Sequence, residues 1–250
     1  MRGPWLWAYA LMSCAMCACS QGQAGRSFGG NWDDAKAREI AIAISSSWQY
    51  SGDADFGGAS VARLQRNAYA ILPFDKAGVS RRLVLVAVAP PDYTCHACPP
   101  VTGGVIFIGK DGGWEAGYDQ AKIVNLGANG QPPKARLQQL GPALPALAFE
   151  MDSMAQGHEA TTLTPVGEAA GKLKELLSLE TAESNQAADL PENQTFRWQA
   201  TLEFMPAPNR EYPDIRVQFS GTRQAGEGKP LQPYSSAVTY RFSAGSYKPS

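Results

Sequence analysis

The chain has 250 residues, a formal net charge of −1 and only 18% charged residues, with no basic stripe. That excludes the electrostatic footprint of a nucleic-acid binder, and the length suits one domain or two small ones with ample residues for a core. Its 25 glycines and 18 prolines, interspersed with Val, Thr and aromatics, point to strands and turns.

The opening segment, MRGPWLWAYALMSCAMCACS, places one basic residue, Arg2, before an apolar run from Trp5 to Met12. The run is shorter than the roughly 20 residues of a spanning helix and fits the apolar region of an export signal. Leu11-Met12-Ser13-Cys14 has the form of a bacterial lipoprotein cleavage site, which predicts loss of residues 1–13 and a lipid on Cys14. Ala15 follows that cysteine where an Asp would retain the protein at the inner membrane, so the expectation is an outer-membrane lipoprotein facing the periplasm. The alternative is an ordinary signal cut near Ala18 and a soluble periplasmic or secreted protein. Residues 14–30, which include Cys17 and Cys19 and end in SQGQAGRSFGG, read as a flexible tether.

A helix is expected over about 34–48. Asp33 or Asp34 can cap it, and Ile40, Ile44 and Trp48 recur on one stripe. From there the pattern is β. Arg82 to Ala89 (RLVLVAVA) describes a strand buried on both faces, ended by Pro90-Pro91, and Gly104 to Ile108 (GVIFI) a second. Lys110-Asp111-Gly112-Gly113 reads as a turn, with Trp114 to Tyr118 returning as its hairpin partner. Residues 197–204, 214–220 and 238–242 each alternate apolar and polar, which predicts three antiparallel strands with one wet face. Residues 185–194 (NQAADLPENQ) are a linker candidate, but a piece of about 55 residues beyond them is marginal alone, so a single β-rich domain over 31–250 is favoured. The fold class expected is therefore mainly β, α+β by virtue of one N-terminal helix, with an antiparallel sheet or a sandwich- or barrel-like arrangement.

One constellation can carry chemistry: Tyr93-Thr94-Cys95-His96-Ala97-Cys98-Pro99-Pro100. In an oxidising compartment paired cysteines default to a disulfide, here Cys95–Cys98, whose short loop limits the chain-entropy gain to ~2 kcal/mol. A redox C-x-x-C site needs its first cysteine at a helix N-terminus, and the following Pro, Val, Thr and Gly do not continue a helix. A zinc or copper site would draw on Cys95, Cys98, His96 and His158, thereby consuming both histidines of the chain. Covalent haem fails because the histidine lies inside the cysteine pair. H-E-x-x-H, P-loop and G-x-G-x-x-G patterns do not occur, and Asp53, Asp55, Asp111 and Glu115 read as turn and surface residues.

Around this motif the chain resembles a set of uncharacterised exported bacterial proteins, putative lipoproteins. They share a buried strand, C-H-A-C-x-P, a G-G-V-I-F-type strand, a Gly-rich turn (here Gly127 to Pro133) and a Q-G-H or Q-G-Y segment (here Gln156-Gly157-His158). The similarity covers about 75–160 and implies an exported, β-rich protein without implying an activity. Three functions compete. The first is a non-enzymatic, membrane-tethered binding or structural protein without a cofactor, with a protein or small-molecule partner. The second is a thiol redox or metal-handling protein using Cys95-His96-Ala97-Cys98. The third is a ligand binder using Trp114 or Trp198, although core packing accounts for both indoles more simply.

Overall fold

The computed structural model describes residues 25–141, 144–169, 171–206, 212–226 and 229–250; the signal segment, Cys14, Cys17 and Cys19 lie outside the described residues. Two antiparallel sheets make up most of the molecule. The first joins β1 (Ser27–Gly29), β2 (Gln65–Lys76), β3 (Val79–Ala89), β4 (Val101–Lys110) and β5 (Gly113–Asn125) in the order β1-β5-β4-β3-β2. The second comprises β6 (Lys134–Gly141), β7 (Leu144–Ala155), β8 (His158–Ala169), β9 (Lys172–Glu175), β10 (Leu179–Ser184), β11 (Arg197–Met205), β12 (Asp214–Gln224), β13 (Leu231–Ser243) and β14 (Ser246–Pro249). Its order is β14-β13-β12-β11-β10-β8-β7-β6, with β9 paired to β8 outside that path.

β3 shows why the first sheet needs cover on both sides. Val84, Val86 and Val88 lie in one core with Val101, Val105 and Phe107, beneath helix α1 (Asp34–Ser45). Leu83 and Leu85 point the other way, into a core with Leu147, Phe149 and Val166 of the second sheet. The period of two in a strand delivers these alternate residues to opposite faces, so the unbroken apolar run is a strand in the middle of three layers.

The second sheet curls. Trp198, Ile215, Val217, Phe219 and Tyr247 line its inside together with Leu176, Leu177 and Leu179. The far edge comes back on itself: the Tyr247 N–H in β14 donates to the Leu176 carbonyl at 2.7 Å, and the Leu176 N–H donates to Pro165 O of β8 at 2.9 Å. The three alternating segments at the C-terminus are neighbours here, with Leu202 opposite Val217 and Val217 opposite Val238.

The expected helix forms but buries a different stripe. Asp33 caps it, its Oδ1 accepting from the N–H groups of Ala35 at 3.0 Å and Lys36 at 3.1 Å. Ala37, Ala41 and Ser45 are the wholly buried positions, while Ile40 and Ile44 flank them half-buried. Small side chains on the contact line let the helix backbone sit close to the sheet, and the larger ones wedge in on either side. The helix stops at Ser45, short of residue 48, because the hydroxyls of Ser45, Ser46 and Ser47 donate to the carbonyls of Ile42 and Ile44 in its last turn. A second helix, α2 (Gly52–Phe56), follows, capped by Ser51 and ended by the left-handed Gly57 at φ 57°.

The tether expected over 14–30 needs correction at its C-terminal end. Ser27–Gly29 form β1 against β5, and Arg26 pairs with Asp119 at 2.5 Å. Phe28 drives this, packing its ring 5.5 Å from Trp32 and 6.0 Å from Phe107. The linker candidate 185–194 runs between β10 and β11, which pair directly through Ala182 and Gln199. Asn185, 2% exposed, holds that loop shut by accepting from Phe196 N at 2.7 Å and donating to Gln194 O at 2.9 Å.

Candidate functional site

Cys95 and Cys98 lie in the connection from β3 to β4, and their sulfurs are 1.93 Å apart, a disulfide pair. The Cys98 N–H donates to Cys95 O at 3.0 Å, a tight turn in which residues 95–98 carry no helix. The dipole that would acidify a thiol is therefore missing from this loop.

The disulfide loop holds a second loop in place through its backbone. The Asn129 N–H donates to Cys95 O at 3.1 Å, and the Gly130 N–H donates to Cys98 O at 2.8 Å. Both donors sit at the tip of a turn with positive φ, 53° at Asn129 and 70° at Gly130. A Cβ on Gly130 would fall 2.4 Å from the Tyr93 carbonyl oxygen, so glycine is what allows the two loops to touch. Gly127 is equally constrained: a Cβ there would meet Gln131 O at 2.0 Å. The other side of the first loop is anchored by Tyr93, whose ring meets Phe56 of α2 edge-on at 5.8 Å.

His96 bonds to Met154 O, near the end of β7. A carbonyl only accepts, so Nε2 carries the proton in this contact. Met151 Sδ receives the Gly127 N–H at 3.3 Å. One end of the molecule thus brings together the 90–100 connection, the 126–133 turn and the β7–β8 hairpin, with Met154 half exposed at 52%. Gly157 in that hairpin packs so closely on Ala187 and Ala188 that the 185–195 loop joins the same end. Exposure differs between the two cysteines: Cys95, His96 and Ala97 are exposed, whereas Cys98 is 8% exposed.

The four candidate metal donors do not come together. Cys95 and Cys98 spend their sulfurs on each other, and the His158 ring lies 6.0 Å from that of Phe196. Among the described residues no group of three His, Cys, Asp or Glu side chains is placed to hold a metal ion.

The tryptophans occupy separate cores. Trp198 is 7% exposed, donates from Nε1 to Glu183 Oε2 at 2.9 Å and packs against Phe219 and Tyr234 inside the curled sheet. Trp114 is half-buried on the first sheet, 4.8 Å from Trp32, and the Arg82 guanidinium lies over both rings at 5.4 and 5.0 Å. The two indoles therefore do not share a groove.

Two of the carboxylates named above, Asp55 and Glu115, have structural partners. Asp55 takes the Lys122 ammonium at 2.6 Å and the Ser51 N–H at 2.9 Å, and Glu115 pairs with Lys110. Burial pushes the Asp55 carboxyl up, but the Lys122 and Ser51 hydrogen bonds outweigh it and hold the group below its ordinary range. Nothing in sequence spacing links His96 to Met154 or Cys95 to Asn129; sheet register and loop packing place them together.

Comparison with known proteins finds no matching family model, curated protein or solved structure.

Proposed function

We propose that this chain is a lipid-anchored protein of the bacterial envelope, held at the outer membrane through Cys14 and facing the periplasm. In this reading it is non-enzymatic and presents its braced loop end, residues 90–100, 126–133 and 154–158, to a binding partner. The observation that carries the reading is the Cys95–Cys98 pair, whose carbonyls fix the neighbouring turn. A disulfide used as a brace suits an exported chain. The segment Leu11-Met12-Ser13-Cys14 supports the same compartment. Among the described residues no helix is long and apolar enough to cross a membrane. Several acyl chains hold firmly where one alone is marginal, at about 0.8 kcal/mol per buried CH₂.

The test is fractionation of a Gram-negative host producing the full chain beside Cys14→Ser. Wild type is expected in detergent-soluble outer-membrane fractions, and Cys14→Ser is expected to lose the lipid. Equal partition of both proteins, with no acyl mass on either, would overturn the anchor.

A further inference from the structure

The asymmetry of the disulfide is the least explained feature of the braced end. A purely structural brace gains nothing from leaving one sulfur-bearing residue open to solvent. Here Cys95 is exposed in a run with His96 and Ala97, while Cys98 is tucked in at 8% exposure. The carbonyls on which the neighbouring turn hangs belong to these same two residues: Cys95 O takes Asn129 N–H and Cys98 O takes Gly130 N–H. Whatever opens the four-residue ring also acts on the two acceptors that hold the 126–133 turn.

We propose that the Cys95–Cys98 disulfide is a thiol-exchange site that latches this loop cluster, with Cys95 the sulfur attacked and a dithiol the reductant. It rests on the proposed loop-end binding surface for its purpose, and adds what controls that surface. A thiolate of the dithiol attacks Cys95 Sγ, forming a mixed disulfide. The Cys95–Cys98 bond breaks, and Cys98 leaves as a thiolate that takes a proton from water. The second thiol of the reductant, as its thiolate, then attacks the sulfur of the first. It closes the reductant's own disulfide and expels the Cys95 thiolate, which is protonated in turn. Two electrons and two protons pass to the cysteine pair, and the dithiol is oxidised by the same amount.

Geometry favours attack at Cys95, the exposed residue of the pair, since exchange follows access. It also decides what is released. With the ring open, Cys95 O and Cys98 O are no longer held at the spacing that matches Asn129 N–H and Gly130 N–H. Those two residues sit at φ 53° and 70°, the left-handed pair of a two-residue turn that Asn-Gly adopts readily, so what opening the ring removes is the pair of contacts that dock this turn on the disulfide loop. His96, bonded to Met154 O, extends the same latch to the end of β7. The sheets themselves do not pass through the ring, so the release stays local.

The experiment uses the mature full chain, oxidised or treated with dithiothreitol, and reads amide hydrogen exchange by residue. Asn129 and Gly130 are expected to lose at least tenfold protection on reduction, while Val217 and Phe219 in β12 keep theirs. Unchanged protection at 129 and 130 would overturn the latch, and so would loss at β12 as well, because the disulfide would then be a global brace. Two single variants test the direction of attack. In Cys98→Ser the Cys95 thiol, distinguished from Cys17 and Cys19 by peptide mass, is expected to form a mixed disulfide with glutathione disulfide at least tenfold faster than the Cys98 thiol does in Cys95→Ser. Equal rates, or the reverse order, would contradict the assignment of Cys95. The acyl mass at Cys14 is read from a different peptide, so failure of the anchor and failure of the latch are separately visible.

Discussion

Two glycines with similar backbone angles separate conformational need from close approach. Gly130 has φ 70° and lies against the Tyr93 carbonyl, whereas Gly112, at φ 85° in the β4–β5 turn, has nothing within 4 Å of where a Cβ would be. Gly112→Ala is expected to cost about 1 kcal/mol through its backbone alone. Gly130→Ala adds the steric term and is expected to cost about 2–3 kcal/mol, measured by urea unfolding. Removing the disulfide by Cys95→Ser with Cys98→Ser is expected to cost at most about 2 kcal/mol, since a ring of this size constrains the unfolded chain little. At this scale the cysteine pair was legible because compartment and spacing suffice to name it. Asn129, Gly130 and Met154 were not, because their roles come from loops that meet only after the sheets form. The exposure of Cys95 against the burial of Cys98 was equally invisible.

Helix α1 shows what periodicity can and cannot say about an element. A stripe of large apolar residues identified a helix and its cap, yet the contact line is Ala37, Ala41 and Ser45, one position round from the isoleucines. Pattern reading weights large side chains, whereas close packing on a flat sheet favours small ones. Asp33→Ala is expected to lower stability by about 1 kcal/mol by removing the cap, seen as a lower urea midpoint at unchanged slope. Helix α2 depends on a charge contact with β5. The Asp55 side chain, 12% exposed, pairs with Lys122 and is held below its ordinary range once folded. Its contribution is therefore fully present above the unfolded carboxylate pKa near ~4 and is lost as pH falls through the lower folded value. Between pH 7 and pH 2, Asp55→Asn is expected to lose about 1 kcal/mol less stability than wild type. Parallel losses in both proteins would show that the pair contributes nothing. Strands β7 and β8 escaped pattern reading for a different reason. β7 is apolar at Leu147 and Phe149 where it is sandwiched, then polar toward its exposed end. β8 is rich in Thr and carries Pro165, so neither strand shows one clean alternation.

The molecule as a whole is held by the layer between its sheets. Leu83, Leu85, Leu147, Phe149 and Val166 form a core to which each sheet contributes. Leu85→Ala or Phe149→Ala is expected to cost about 2–5 kcal/mol. Both should keep one cooperative transition, with far-ultraviolet circular dichroism and tryptophan fluorescence coinciding. Separate transitions in either variant would mean that the curled sheet folds independently. The mainly β, antiparallel class was legible from alternation in the last third and from the doubly buried strand. The order of the strands and the return of β14 to Leu176 were not, because they depend on sheet curvature and on backbone bonds between segments far apart in the chain.

A lipid at Cys14 and an oxidised pair at Cys95 and Cys98 are both read by one measurement. It is the intact mass of the chain extracted from membranes without reductant, before and after alkylation. A mature chain that begins at Cys14 and carries acyl mass is expected, with neither Cys95 nor Cys98 alkylated, as located in the peptides of the same sample, until reductant is added. A chain that begins elsewhere without lipid, or one whose Cys95 and Cys98 alkylate at once, would contradict that expectation.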